Sequence, residues 1–231
     1  MRAALIGLGL LMAALPCDGH AQSTPVMVEL FTSQGCSSCP PADAVLARLA
    51  GRPDVVALSY HVDYWDDLGW KDPLASAAAT ARQKAYRDAF HALQIYTPQM
   101  VIGGKLDMPG QDMAPVARAI ASVAAAGPSI QLTRAGDSVS VYVAEAPATA
   151  PLAVWLATYV PQVETAVARG ENAGRKLLNV NVVREFHKLG RYDGAPLTLS
   201  ASGISPTLGV AVWLQSDALG GVAAVSALPP G

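Results

Sequence analysis

The chain has 231 residues, 52% of them hydrophobic and 15% charged, with a formal net charge of −2. That balance describes a globular protein with no basic patch for nucleic acid. No segment beyond the N-terminus reaches the roughly 20 apolar residues that span a bilayer, so no membrane span is expected.

The N-terminus reads as an export signal. Arg2 precedes an apolar run from Ala3 to Leu15, and Gly19-His20-Ala21 supplies small residues before Gln22. This predicts a signal peptide over 1–21 and a periplasmic or secreted mature protein. Cys17 leaves with it, and Pro16 fits a lipidation site at that cysteine poorly. Cys36 and Cys39 are then the cysteines that remain, each with one intramolecular partner in an oxidising compartment.

Val26 to Phe31 is nearly all apolar and predicts a parallel strand covered on both faces. It leads through a polar turn into Cys36-Ser37-Ser38-Cys39, a C-x-x-C pair of the kind that closes and reopens as a disulfide. Pro40 to Ala50 reads as a helix, with Ala42, Val45, Leu46 and Leu49 at helical spacing and two prolines where missing amides cost least. Val55 to Tyr60 predicts a second strand, followed by an aromatic and acidic loop from His61 to Pro73 and a helix from about Ala75 to Leu93. Arg82, Lys84 and Arg87 read as its solvated basic face. Tyr96-Thr97-Pro98 then opens a hairpin of Gln99 to Ile102 and Lys105 to Met108, and Asp112 to Ala125 predicts a helix.

Gly127-Pro128 punctuates the chain and places a boundary between units 22–127 and 128–231. The second unit reads as mostly β: Ser129–Thr133, Ser138–Val143, Leu152–Tyr159, Val163–Ala168, Lys176–Phe186, Leu197–Ala201, Leu208–Leu214 and Val222–Ala227. Ala135-Gly136-Asp137 is a hairpin turn, and Arg169 to Gly174 is a polar loop read either as lying near the thiol groove in space or, by slight preference, as a simple hairpin tip. The expected architecture is an α/β thioredoxin-like domain followed by a mostly antiparallel β domain, a sandwich or barrel.

That element order resembles the thioredoxin fold. More narrowly, VELFTSQGCSSCPPAD (Val28 to Asp43), SYHVDYWDDLGWKDP (Ser59 to Pro73), ARQKAY (Ala81 to Tyr86), YTPQMVIGG (Tyr96 to Gly104) and RGENAGRKL (Arg169 to Leu177) are similar to a family of thioredoxin-like secreted bacterial proteins of unassigned function. The resemblance implies a redox-type site without a known substrate, and a cis bond at Thr97-Pro98. An acid on the first strand, here Glu29, is also implied, although one extra residue separates it from the first cysteine.

The site chemistry follows from the parts. Cys36 at a helix N-terminus is the expected nucleophile, because unpaired amides and the helix dipole favour its thiolate. Cys39, one turn on, is the expected resolving thiol, and Pro98 shapes the receiving groove. Glu29 is read either as a buried carboxylate that exchanges protons with a thiol or as a solvent-facing edge residue. Tyr96, Thr97, His61, Asp63 and Trp65 are candidate substrate contacts, since loops at the carboxyl ends of parallel strands build sites. The expected substrate is a protein or a small thiol or disulfide. No cofactor is expected, and no metal: the cysteines and His61, His91 and His187 lack the spacing of a zinc site. Two alternatives stay open, a binding module holding Cu(I) at Cys36, Cys39 and His61, and a scaffold in which the cysteines form an inert bridge.

Overall fold

The protein is described by a computed structural model covering residues 24–123 and 127–231. The signal segment with Cys17 and His20, and the end of the helix expected to reach Ala125, lie outside the described residues. Within them are eleven strands and three helices: β1 (Val26–Thr32), α1 (Pro40–Leu49), β2 (Val55–His61), α2 (Ala77–Ala89), β3 (Gln99–Ile102), β4 (Leu106–Met108), α3 (Met113–Ser122), β5 (Ile130–Ala135), β6 (Ser138–Val143), β7 (Leu152–Ala166), β8 (Lys176–Tyr192), β9 (Leu197–Ala201), β10 (Gly209–Gln215) and β11 (Ala224–Leu228).

Eight of the strands form one mixed sheet in the order β11-β10-β7-β8-β2-β1-β3-β4, and β5-β6-β9 form a second sheet. This overturns the expected α/β thioredoxin-like domain followed by a separate antiparallel domain. The fold is mostly β, its helices are only 10, 13 and 10 residues long, and the large sheet runs without a break from strands before Gly127 to strands after it. The join is the parallel contact of β2 with β8 at Ser59 and Val182. Beside it Asn181 adopts a positive φ of 46° and donates its side-chain amide to the Ala57 carbonyl at 2.9 Å. Asparagine tolerates that backbone better than most residues, so the kink is cheap there. Pro161 lies in the facing stretch of β7, where Val160 and Gln162 pair with Val182 and Val180. It lacks the amide that a ladder position would donate. The two strands expected at Leu152–Tyr159 and Val163–Ala168 are therefore one bent strand.

Individual elements follow the local pattern closely. β1 is buried throughout and pairs in parallel with β2, as its apolar run requires. Ala135 pairs with Ser138 across Gly136 and Asp137, and Gly136 supplies the positive φ of 62° that such a tight hairpin needs. Ser76 and Asp112 cap α2 and α3 by accepting from Ala79 and Ala114.

Strand alternation sorts the core into layers. Val28 and Leu30 face α1 and α3, packing with Leu46, Leu49, Val116 and Ile120. Met27 and Phe31 face α2 and pack with Tyr60, Tyr86 and Trp213, a core shared by both halves of the chain. At the far end Val139, Val141 and Val143 of the small sheet pack against Val154, Leu156, Val210 and Val212.

Glu29 lies on the α2 face, in the middle of that shared core. Arg82 of α2 meets it with Nε at 2.5 Å from Oε1 and Nη2 at 3.1 Å from Oε2, and the Tyr86 hydroxyl donates to the same carboxylate. Arg82 Nη2 also donates to Gln215 of β10 at 3.1 Å. Its guanidinium carbon lies 5.0 Å from the Trp213 ring centre and 5.1 Å from that of Tyr86. Arg82 is thus not on a solvated face: it is 5% exposed, while Lys84 of the same helix is exposed. Removing one member of a buried, hydrogen-bonded pair leaves the other charge uncompensated, which typically costs about 3–5 kcal/mol. Arg82→Met is expected to lose that much in urea unfolding, and adding Glu29→Gln is expected to recover a large part of the loss.

Candidate functional site

Cys36 and Cys39 form a disulfide at the turn between β1 and α1. Ala42 and Asp43 amides return to the Cys39 carbonyl at 2.9 and 3.1 Å, which starts the helix there, and the prolines at its first positions have no amide to leave unpaired. Both cysteines have zero exposure. Ser37 and Ser38 between them are exposed, and the Ser38 hydroxyl lies 3.2 Å from Cys36 Sγ.

Two loops enclose the turn. From the first, Trp65 packs so closely on it that a Cβ at Gly35 would stand 3.2 Å from the Trp65 Cβ, and Trp70 donates from Nε1 to Gln34 Oε1 at 3.2 Å. The second is the 167–175 connection between β7 and β8. Asn172, fully buried, donates both of its amide bonds to the turn, to the carbonyls of Gln34 and Cys36 at 2.9 Å each. The Glu171 carboxylate accepts from the Ser37 amide at 2.9 Å, and the Ser37 hydroxyl first, then this amide, hold its pKa below the ordinary carboxylate value. The two loops meet backbone to backbone: Gly69 and Gly170 both have positive φ, and a Cβ on Gly69 would stand 3.3 Å from Gly170 Cα. The polar loop read from sequence as a hairpin tip is therefore the cover of the disulfide.

The Thr97–Pro98 peptide is cis and leads into Gln99, which pairs with Phe31 near the end of β1. Thr97 Oγ1 accepts from Trp65 Nε1 at 2.8 Å, which ties the cis-proline segment to the loop that covers Gly35. Tyr96 points away, its hydroxyl donating to Asp107 at 2.6 Å; burial together with that carboxylate lifts its pKa above the usual tyrosine range. Asp63 anchors its loop to α2 by accepting from Thr80 Oγ1 at 2.6 Å. Glu29 stands on the opposite sheet face from α1, engaged by Arg82 and Tyr86.

His61 is enclosed rather than lining an open groove. Its Nδ1 lies 2.7 Å from Asp72 Oδ2, with both side chains fully buried. Asp72 also accepts the amides of Gln34 at 2.8 Å and Leu74 at 2.9 Å. Burial alone would raise the Asp72 pKa, but His61 and these two amides hold it below the ordinary carboxylate value. On the same sheet face stand Thr32, Ser59 and Asp43, the last projecting from α1 one turn after Cys39. Burial pushes the Asp43 carboxyl up to about 6, with His61 and Thr32 opposing the rise. Thr32 Oγ1, Asp43 Oδ1, Ser59 Oγ and His61 Nε2 are buried without a protein partner. This buried polar cluster thus lies beneath the disulfide helix, where polar groups interact strongly.

Asp43 and Asp72 are not legible as site residues, whereas Glu171 and Asn172 belong to the polar loop for which a place near the thiol groove is the less favoured of two readings. Of the first two, Asp43 leaves a trace, since it falls three residues before Leu46, on the apolar stripe of its helix. Among the described residues no three His, Cys, Asp or Glu side chains converge as metal ligands. No helix among them is long and apolar enough to cross a membrane.

Fold and site together define a protein with a covered C-x-x-C disulfide at a strand-to-helix turn, linked through Trp65 to a cis-proline segment and set above a buried acid–imidazole cluster. The chain belongs to the family described as "Protein of unknown function (DUF1223)", whose pattern matches residues 27–215. A structural-genomics protein from Agrobacterium tumefaciens is 31% identical and superposes with a TM-score of 0.80 over 91% of this chain and 96% of its own. HBP35 of Porphyromonas gingivalis shares the fold at a TM-score of 0.60 and 12% identity, over 89% of this chain and 75% of its own. No curated protein matches the chain.

The Asp43 shift carries a pH signature. A carboxyl whose pKa is raised on folding contributes stability that is full below about pH 4 and is lost as pH rises through 6. Asp72 has the opposite sign and loses its contribution only as pH falls below the ordinary carboxylate range. Urea unfolding at pH 5 and pH 8 is therefore expected to show a stability that declines with pH. Asp43→Asn should flatten that decline by an amount on the order of 1.4 kcal/mol, the linkage equivalent of the roughly one pKa unit between pH 5 and the raised Asp43 value.

Proposed function

We propose that this chain is an exported thiol–disulfide exchange protein, with Cys36 as attacking thiol and Cys39 as resolving thiol, acting on a protein or a small thiol or disulfide. The observation that supports it most directly is the Cys36–Cys39 bridge at the first turn of α1, beside the segment with the cis Thr97–Pro98 bond. The chemistry proposed is that of thioredoxin-superfamily C-x-x-C pairs. In the reduced protein the Cys36 thiolate attacks a substrate disulfide, a mixed disulfide forms and one substrate sulfur leaves as a thiol. The Cys39 thiolate then attacks Cys36 Sγ, the second substrate thiol leaves, and two electrons have passed to the substrate. Asp43, one helical turn after Cys39 and with its carboxyl raised by burial to about 6, suits the exchange of the Cys39 proton. Export rests on the Arg2 to Ala21 segment, which brings the two cysteines into an oxidising compartment.

A second reading is an inert bridge, favoured by the zero exposure of both sulfurs. A Cys39→Ser variant separates the two. Exchange predicts partners captured as mixed disulfides on Cys36 under non-reducing electrophoresis, because attack survives while resolution is blocked. An inert bridge predicts an empty trap and, in the native protein after mild reduction, sulfurs that an alkylating probe does not label.

A further inference from the structure

The covering loop brings a charge to the disulfide as well as a roof. Its tip is braced internally: the Val167 amide reaches the Arg175 carbonyl at 2.9 Å, and the Gly174 amide reaches the Val167 carbonyl at 2.8 Å. Arg175 Nη1 donates to Asn172 Oδ1 at 2.8 Å, which leaves both Asn172 amide bonds for the carbonyls of the turn. This frame holds Glu171 over the Ser37 amide, between the two cysteines. Ser37 and Ser38 are the exposed members of the C-x-x-C turn, so a thiol approaching the buried sulfurs crosses the surface that Glu171 occupies. Asp72 also bonds the turn, but from inside and against His61, and Asp66 is spent on the Asp72 amide at 3.0 Å. Glu171 is the exposed carboxylate in hydrogen-bond contact with the turn.

We infer that Glu171 is a specificity-determining residue for reduction of the Cys36–Cys39 bond, selecting against thiols that carry a further negative charge and favouring neutral or cationic ones. This inference rests on the exchange reading above. In the reaction a thiolate attacks Cys36 Sγ, the Cys36–Cys39 bond breaks and Cys39 leaves as a thiolate that takes a proton from the Asp43 carboxyl, which solvent then restores. A second thiolate attacks the outer sulfur of the mixed disulfide and releases Cys36. Two thiols are oxidised to one disulfide, and the protein disulfide is reduced to two thiols. A like charge on the incoming molecule raises the energy of the approach, by an amount that salt screens at this exposed position.

The test compares reduction rates of the folded wild type, Glu171→Gln and Glu171→Asp by three thiols of similar size: 3-mercaptopropionate, 2-mercaptoethanol and cysteamine. Intrinsic thiol reactivity, Lys71, Arg169 and Arg175 are common to all proteins and cancel in the comparison. Glu171→Gln is expected to raise the anionic-to-neutral rate ratio about threefold and to lower the cationic-to-neutral ratio by a similar factor, the scale of an exposed charge pair. Both changes should vanish in 1 M salt, where the screening length falls to about 3 Å, and Glu171→Asp should follow the wild type. If Glu171→Gln speeds all three thiols equally, the residue is only a latch and the inference fails while the exchange reading stands. If no thiol reduces the folded protein in any variant, the exchange reading fails and takes the inference with it.

Discussion

The ion pair between Glu29 and Arg82 holds the two parts of the chain in one structure. A guanidinium and a carboxylate in an apolar core are tolerable only when every polar group finds a partner. Here the partners come from distant segments: Glu29 from β1, Arg82 and Tyr86 from α2, Gln215 from β10. Trp213, Tyr60 and Phe186 close around the charge with their ring faces. Moving β10 away from α2 would leave Gln215 and the guanidinium without each other, so the pair constrains how the far strands pack over α2. The eight-stranded sheet and this cluster reinforce one another, the sheet supplying geometry and the cluster penalising alternatives.

A second buried polar group sits on the other face of the sheet and has a different character. Asp72, His61 and Asp43 occupy the layer between α1 and the strands, but four of the cluster's atoms have no protein partner. The Glu29 carboxylate and the Arg82 guanidinium are both paired, whereas in this cluster burial raises the Asp43 carboxyl to about 6. Its position under the first turns of α1 links it to the disulfide through the helix itself. The sheet thus separates a structural charge pair from a titrating one, by the simple alternation of side chains along β1 and β2.

Above the disulfide, the cover is built from segments that lie far apart in the chain. Trp65 and Trp70 follow β2, while Glu171 and Asn172 follow β7. They meet at Gly69 and Gly170, where a side chain on either residue would crowd the other loop. Asn172 is inside because the carbonyls of the C-x-x-C turn need donors once water is excluded. The polar composition of 169–174, which as a sequence signals an exposed tip, is the composition required to satisfy a buried turn.

Local features were well read from the chain. Apolar runs locate every strand core, helical spacing places α1, α2 and α3, and the cysteine pair falls at a strand-to-helix turn; the place of Thr97-Pro98 beside it comes from the family resemblance and not from the local pattern. The local features depend on residues within a few positions of one another, whose periodicity is set by backbone geometry. The pattern divides residues 152–168 into two strands, whereas β7 pairs with β8 continuously on both sides of Pro161. What the order of residues determined by itself was thus the set of elements and the thiol pair. Only the tertiary structure decided that β8 joins β2, that Arg82 turns inward to Glu29, that Asp43 meets His61 and that Glu171 stands over Ser37. Each of these pairs a group with a partner tens to more than a hundred residues away, chosen by which buried charge or amide remains unsatisfied, and no periodicity along the chain encodes that choice.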